Sequence, residues 1–156
     1  MRNIISKLLR PYGKISFLSN LQHDAKILDV GCGNDSPYKI KSILPDSFYT
    51  GLDIEDYNQL KPNLADEYIL TQADFFHEKI ISLGTRFDAV ISSHNLEHCN
   101  NREATLKAML EVVKEGGMIY LAFPCEASVK FPKRNGTLNY FDDKTHTQQS
   151  PPRYNE

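Results

Sequence analysis

The chain has 156 residues, of which 40% are hydrophobic and 24% are charged, enough for one domain with a real core. The formal net charge of −2 gives no electrostatic reason to expect nucleic acid as a partner. No stretch approaches the ~20 apolar residues of a membrane span, and the apolar run at the amino terminus breaks too early for a signal peptide.

The cysteine content indicates a reducing compartment. Cys32, Cys99 and Cys125 are an odd number of thiols, and none of them has C-x-x-C spacing. This pattern argues against a disulfide framework and against a zinc site. We therefore predict a cytoplasmic protein.

The first 24 residues are predicted to form a separate N-terminal helical segment. Apolar residues recur at helical spacing over 4–9 and again over 15–21, and Pro11 interrupts the pattern. Residues 25–156 are predicted to form the main domain, in which strands alternate with helices. Its tail, 125–156, is polar and rich in turn residues, and is predicted to be irregular.

Five strands and three helices are predicted in the main domain. The strands cover 25–30, 47–54, 67–72, 87–93 and 118–123, and the helices cover 37–44, 75–83 and 102–115. Strand and helix alternate with short connections, which favours right-handed crossovers and a mostly parallel sheet. The predicted fold class is therefore α/β.

The helix over 102–115 has the clearest pattern. Asn100 is its predicted N-cap, with Glu103 three residues on, and Gly116 is its predicted C-terminal stop. Its predicted buried stripe consists of Leu106, Met109, Leu110 and Val113.

Two glycines follow the first strand directly. Gly31 and Gly33 allow a sharp turn and let a ligand lie against the backbone, although a simple tight turn would use the same residues. A nicotinamide-binding loop would have a third small glycine-like residue at the sixth position, where this chain has Ser36, so that match is incomplete. Ligands bind at the carboxyl ends of parallel strands, where the strand order reverses, so a ligand site is predicted here.

Acidic residues are predicted to follow the neighbouring strands. Asp53 could accept hydrogen bonds from both hydroxyls of an adenosine ribose, or cap a helix. Asp74 could accept from an adenine amine, with Phe75 as an apolar edge, or equally cap a helix. Together with Asp29 these carboxylates would form a negative pocket, which suits a sulfonium and an ammonium group better than a pyrophosphate.

The order of these motifs resembles that of class I S-adenosylmethionine-dependent methyltransferases. The segments that carry the resemblance are 27–33 (ILDVGCG), 51–54 (GLDI), 72–74 (QAD), 87–98 (FDAVISSHNLEH) and 115–121 (EGGMIYL). The resemblance covers about residues 25–124. It implies a Rossmann-like three-layer sandwich, S-adenosyl-L-methionine as cofactor, S-adenosyl-L-homocysteine as product and a small-molecule acceptor.

The resemblance also implies roles for individual residues. Gly31 and Gly33 would lie against the methionine part, Asp53 on the ribose and Asp74 near the adenine, while backbone at Ser93 would touch the cofactor amino acid. The predicted cofactor-binding residues are Asp29, Gly31, Gly33, Asp53, Ile54, Asp74, Phe75 and Ser93.

The histidines are weighed separately. His94 and His98 have i, i+4 spacing, but no third ligand is close in sequence, so no metal is predicted. His94 is the candidate for substrate contact or general base. His146 is the second catalytic candidate, in the segment 136–146. That segment is either a polar surface loop or part of an acceptor pocket, and it faintly resembles methyltransferases of bacterial sugar and surface-glycan metabolism.

The end of the chain departs from the family pattern. The family sheet ordinarily ends with an antiparallel strand pair after the fifth strand, and that pair is predicted to be missing or truncated here. An uncovered fifth strand would be unfavourable, so we predict that the tail folds over it or that a second copy pairs with it as a homodimer. The alternative is a shortened methyltransferase with a weakened acceptor site.

Methyl transfer to an unidentified small molecule is therefore the predicted function. The cofactor carbon is already activated, so the protein mainly positions two reactants. The alternatives are a non-catalytic S-adenosylmethionine-binding partner protein and a nicotinamide-binding Rossmann oxidoreductase.

Overall fold

Five parallel strands form the centre of the protein. A computed structural model describes residues 13–57, 63–84, 87–132, 139–146 and 150–152. The strands are β1 (Lys26–Val30), β2 (Phe48–Asp53), β3 (Glu67–Leu70), β4 (Phe87–Ser93) and β5 (Val113–Ala122). Their order is β3-β2-β1-β4-β5, and every neighbouring pair is parallel. The order reverses between β1 and β4, where such sheets bind ligands.

Helices cover both faces of the sheet. They are α1 (Lys14–Leu18), α2 (Ser36–Ile43), α3 (Phe76–Ser82) and α4 (Arg102–Val112). Short 3-10 turns cover Ala73–Phe75, Leu96–His98, Glu126–Lys130 and Tyr140–Asp142. No helix among the described residues is both long and apolar enough to cross a bilayer.

The strands alternate their side chains between two cores. On one face Ile27 of β1 packs in a buried cluster with Leu18 of α1 and Ile40 of α2. On the other face Leu28 of β1 packs with Met109 of α4 and further residues of α3. Because successive strand residues point to opposite faces, a five-residue apolar strand such as β1 supplies both cores. The predicted three-layer α/β sandwich is confirmed.

The boundary between α4 and β5 differs from the prediction. Asn101, not Asn100, caps α4, and its Oδ1 accepts the N–H of Ala104 at 3.0 Å. The helix ends at Val112, and β5 begins at the next residue, so the predicted stop at Gly116 is wrong. Gly116 has φ +74° where the β4–β5 register is irregular, so this glycine permits a bulge in the strand.

The buried side of α4 is also corrected. The buried residues are Thr105, Ala108, Met109 and Val112. Leu110 is 56% exposed, and Val113 lies in the sheet. Only Met109 of the predicted stripe is buried in the helix, because the last predicted turn belongs to β5.

The outer edge of β5 pairs with no other strand in the described part of the chain. The hydrogen bonds formed by the tail lie elsewhere, at the turn after β4 and at the start of α4. Thr145 contacts His98, and Arg102 donates to the carbonyl of Ser150 at 2.8 Å. In the tail, residue 138 lies outside the described residues and Tyr140–Asp142 is a 3-10 turn. Residues 1–12 of the predicted helical segment also lie outside them, and its boundary at 24 stays a prediction.

The carboxylate of Asp88 joins the amino ends of three strands. It accepts the backbone N–H of Lys26 at 2.8 Å and the ammonium of Lys114 at 2.6 Å. Partial burial disfavours its charged form, but these two bonds outweigh burial and lower the pKa of the Asp88 carboxyl. Its contribution to stability is therefore present above the ordinary aspartate pKa and is lost as the pH falls through the lowered pKa.

We expect Asp88→Asn to lower the free energy of unfolding at pH 7 by about 1 kcal/mol, since solvent screens the half-exposed ion pair. The difference from the parent chain should shrink as the pH falls below about 4. Urea titrations at pH 7 and pH 3 measure both values. Glu103→Gln is the matched control, because its ion pair with Lys107 is exposed. An Asp88 effect of equal size at both pH values would contradict this account.

Candidate functional site

The two positions after β1, 31 and 33, require glycine for different physical reasons. Both have positive φ, +73° at Gly31 and +63° at Gly33. A Cβ at Gly31 would lie 2.3 Å from the side chain of Asn95, so this position makes room for a protein group. A Cβ at Gly33 would meet nothing within 4 Å. The open backbone expected for a ligand is therefore at Gly33.

Asp53 holds the glycine loop to the end of β2. Its Oδ2 accepts the N–H of Gly33 at 2.7 Å, and its Oδ1 accepts the N–H of Ile54 at the same distance. Burial raises the pKa of the Asp53 carboxyl above its usual value, and these two N–H groups oppose part of that rise. Asp53 thus connects two loops at the carboxyl edge of the sheet and does not cap a helix.

Asp29 forms an ion pair with Lys14, a residue that no sequence motif marked as part of the site. Asp29 is fully buried, and its Oδ2 accepts from Lys14 Nζ at 2.9 Å and from the Tyr49 hydroxyl at 3.1 Å. Lys14 Nζ also lies 2.7 Å from the hydroxyl of Ser36. The expected pocket of three free carboxylates is therefore wrong. The helix before β1 brings a positive charge to the glycine loop instead.

Asp74 lies in the 3-10 turn that follows β3, beyond the carboxyl end of that strand. β3 ends at Leu70, two residues earlier than predicted, and the exposed Asp74 accepts from the side-chain amide of Asn100. Phe75 beside it is 47% exposed. A shallow cavity of about 420 Å³ lies between the ends of β2 and β3, and it is lined by Ile54 but not by Asp74 or Phe75.

The two cysteines near the sheet are buried, as expected for small core residues. Burial, together with the negative charges of Asp29 and Asp53, raises the pKa of the Cys32 thiol to about 12. Burial also raises the pKa of Cys99 to about 11. Because the thiolate is the reactive form, neither residue is a nucleophile at neutral pH.

Consecutive residues at the end of β4 line two different cavities. Ser93 lines a cavity of about 330 Å³ that also includes Lys14, Gly31 and Gly33. His94, the next residue, lines a second cavity of about 790 Å³. His94 has φ +55°, an uncommon conformation for a residue other than glycine, and its N–H donates to the carbonyl of Ala122 at 2.7 Å. Backbone strain of this kind clusters at functional sites.

The tail forms one wall of the larger cavity. The ring of Tyr140 is buried and stacks on His146 with the ring centroids 4.2 Å apart. The segment 136–146 is predicted to be either a polar surface loop or part of an acceptor pocket. Its residues 139–146 form part of this cavity wall, and residues 136–138 lie outside the described part of the chain. The fold thus brings both catalytic candidates, His94 and His146, to one cavity.

A cluster of possible metal ligands lies in the same wall. One carboxylate oxygen of Glu97 and one ring nitrogen each of His98 and His146 lie within 4.8 Å of one another. Glu97 is 1% exposed, and its other neighbour is His94, whose Nδ1 lies 3.3 Å from Glu97 Oε1. No third ligand could be identified from sequence spacing, because His146 is far along the chain from His98.

The profile of a family described as "Methyltransferase domain" matches residues 4–153. The chain belongs to this family. The predicted family and its α/β fold are therefore confirmed, with the glycine loop, Asp53 and the β4 end in the order that the resemblance implied. The roles of individual residues toward a cofactor are not tested by this match.

Three known proteins are similar to this methyltransferase domain in sequence or in structure. Over 103 residues it is 34% identical to an uncharacterized protein of Methanocaldococcus jannaschii, covering 62% of this chain and 27% of that protein. The plantazolicin methyltransferase BpumL in complex with SAH has a TM-score of 0.63 at 21% identity, covering 95% of this chain and 61% of that one. A SAM-dependent methyltransferase from Archaeoglobus fulgidus has a TM-score of 0.62 at 20% identity, covering 95% and 62%.

The two solved structures share their fold with this chain. The methyltransferase domain spans less than two thirds of the length of each of these three proteins.

The two glycines of the loop should respond differently to alanine. Gly31→Ala places a Cβ against Asn95 and adds left-handed strain, so we expect the free energy of unfolding to fall by about 3 kcal/mol. Gly33→Ala adds only the strain, about 1 kcal/mol. Urea denaturation of both variants gives the two values. Equal losses would show that Asn95 moves aside readily and that Gly31 is not a packing position.

Proposed function

We propose that this methyltransferase domain binds S-adenosyl-L-methionine over its glycine loop and transfers the methyl group to a small-molecule acceptor in the neighbouring cavity. The observation that carries the proposal is that two consecutive residues, Ser93 and His94, line two different cavities. One cavity is lined by the open backbone of Gly33, and the other is lined in part by the tail. A donor and an acceptor placed on the two sides would face each other across the end of β4.

The residues of the glycine loop fit the proposed cofactor. Gly33 leaves open space above its backbone, and the buried Asp53 lies at the end of the neighbouring strand, where a ribose would lie. Ile54 lines the shallow cavity beyond it, which suits an adenine ring. We retain Gly31 and Asp29 as residues that shape the loop, and Asp74 and Phe75 as predictions for the adenine edge.

Lys14 adds a contact that the sequence pattern did not predict. Its ammonium lies in the cavity that Ser93 and Gly33 also line, between Asp29 and Ser36. A positive charge there suits the carboxylate of the methionine part. We propose that Lys14 binds this carboxylate while Asp29 holds the lysine in place.

The chemistry asks little of the protein beyond positioning. When bound, S-adenosyl-L-methionine supplies a methyl carbon activated by its sulfonium, and S-adenosyl-L-homocysteine leaves as product. The chain holds the two reactants in line, which lowers the entropic part of the barrier. His94 and His146 are the candidates for contact with the acceptor or for removing its proton, since both line the larger cavity.

Two other functions make different predictions. A nicotinamide enzyme would place a pyrophosphate on the loop, where Asp35 and Asp53 stand and where no third glycine follows. A non-catalytic partner protein would bind the same cofactor but produce no methylated acceptor. The acceptor class, including the sugar or surface-glycan context, follows only from the faint resemblance in the tail.

A cytoplasmic location and a homodimer are part of the proposal. Three cysteines that form no disulfide bond among the described residues support a reducing cytoplasm. The outer edge of β5, which pairs with no strand in the described part of the chain, supports pairing with a second copy, and the net charge of −2 gives no support to nucleic acid as a partner.

We expect S-adenosyl-L-homocysteine, but not NAD, to bind the chain in isothermal titration calorimetry. Asp53→Asn should weaken this binding by about 1.5–3 kcal/mol, the value of a charge-assisted hydrogen bond. Asp46→Asn is the matched control, because Asp46 is exposed and precedes β2, at the opposite end of the sheet from Asp53. Binding of NAD alone would favour the oxidoreductase. Unchanged affinity with a lower melting temperature would make Asp53 a loop residue only.

Lys14→Met should weaken binding of S-adenosyl-L-homocysteine by about tenfold, the value of one charge-assisted bond. Binding of 5′-methylthioadenosine, which lacks the amino-acid part, should be unchanged. Lys14→Arg keeps the charge and should retain most of the affinity. Equal losses for both ligands in Lys14→Met would show that Lys14 only supports Asp29 and the loop.

A further inference from the structure

Three possible metal ligands converge in the wall of the larger cavity. They belong to Glu97, His98 and His146, and their ligand atoms lie within 4.8 Å of one another. Glu97 is buried, and its Oε2 has no hydrogen-bond partner among the described residues. A buried carboxylate oxygen without a partner is costly, so a positive group belongs at this position.

The surroundings of the two rings fix which nitrogen is available. His98 Nδ1 lies 3.2 Å from the carbonyl oxygen of Thr145, and His146 Nδ1 lies 2.6 Å from that of Tyr140. The Thr145 hydroxyl also lies 3.0 Å from His98 Nδ1, but it donates its hydrogen to Asp143 Oδ1 and so accepts from the ring. A carbonyl oxygen only accepts, so each Nδ1 carries the hydrogen and each Nε2 presents a lone pair. Metal-binding histidines are held in this way, with the second ring N–H donated to a carbonyl or a carboxylate.

Other neighbours hold the same three residues. Tyr140 stacks on the His146 ring, and His94 Nδ1 lies 3.3 Å from Glu97 Oε1. Asp143 Oδ2 lies 3.8 Å from His146 Nε2 and adds a second negative charge. The cluster is therefore both oriented and negative, as a cation site requires.

We propose that Glu97, His98 and His146 bind one divalent transition-metal ion. Imidazole nitrogens suit zinc, copper, iron or nickel, whereas magnesium, calcium and manganese prefer oxygen ligands. Three protein ligands leave further coordination positions for water or for an oxygen of the acceptor, as in catalytic metal sites. This site goes beyond the proposed function, and cofactor binding at the glycine loop does not depend on it.

The test is a titration of the full chain, freed of metal with EDTA and then dialysed, with Co²⁺ in the absence of any S-adenosyl ligand. We expect one equivalent of Co²⁺ to bind with visible d–d absorption, Zn²⁺ to displace it, and Mg²⁺ not to compete. His146→Gln and Glu97→Gln should each weaken Co²⁺ binding by at least about tenfold. His23→Gln, at an exposed histidine outside the cluster, should bind like the parent chain.

Two measurements keep the outcome interpretable. The melting temperature of each variant in EDTA shows whether it folds, and in the parent chain Zn²⁺ should raise the melting temperature, since it binds only the folded state. Cys125 also lines the cavity, so the titration is repeated with Cys125→Ser, which should still bind. The proposal is overturned if Co²⁺ does not bind, if folded His146→Gln binds as tightly as the parent, or if Cys125→Ser abolishes binding.

Discussion

The carboxylate of Asp53 joins the two loops on which the proposed site depends. It accepts the N–H of Gly33 after β1 and the N–H of Ile54 after β2, both at 2.7 Å. These bonds fix the open backbone of the glycine loop beside the end of β2, so one buried carboxylate sets the geometry for a ligand that spans both strands. Its raised pKa reflects the cost of burial, and the two backbone donors offset part of that cost.

The second half of the site is built by residues that are distant in sequence. β4 ends at Ser93, which lines one cavity, and the strained His94 that follows lines the other. The tail lines the second cavity too, with Tyr140 stacked against His146. The proposed cofactor side lies at the ends of the sheet strands, whereas the proposed acceptor side and the proposed metal ligands come from the loop after β4 and from the tail.

The sequence predicted the features that depend on local chemistry. Strand and helix alternation predicted the sheet, and the glycines and Asp53 marked the loop, because positive φ and strand-end carboxylates leave a local signal. Lys14 left none, since its partner Asp29 lies across a turn and a strand. His146 is predicted from the sequence as a catalytic candidate, but its contact with His98 depends on how the tail folds and leaves no local signal.

Two errors have a common cause. Gly116 predicted a helix stop, and three carboxylates predicted a negative pocket, because each residue was assigned the role most common for its type. In the fold, Gly116 permits a bulge where β5 meets β4, and Asp29 is paired with an ammonium. Tertiary contacts decided both cases: the pairing of β5 with β4 for Gly116, and the ion pair with Lys14 for Asp29.

Amide hydrogen exchange with and without S-adenosyl-L-homocysteine tests the central claim most directly. If the ligand lies over the loops that Asp53 joins, peptides covering 31–36 and 53–57 should exchange more slowly when it is bound, while the amino ends of the strands should not change. Unchanged exchange in both segments under saturating ligand would contradict the account, as would protection confined to the tail.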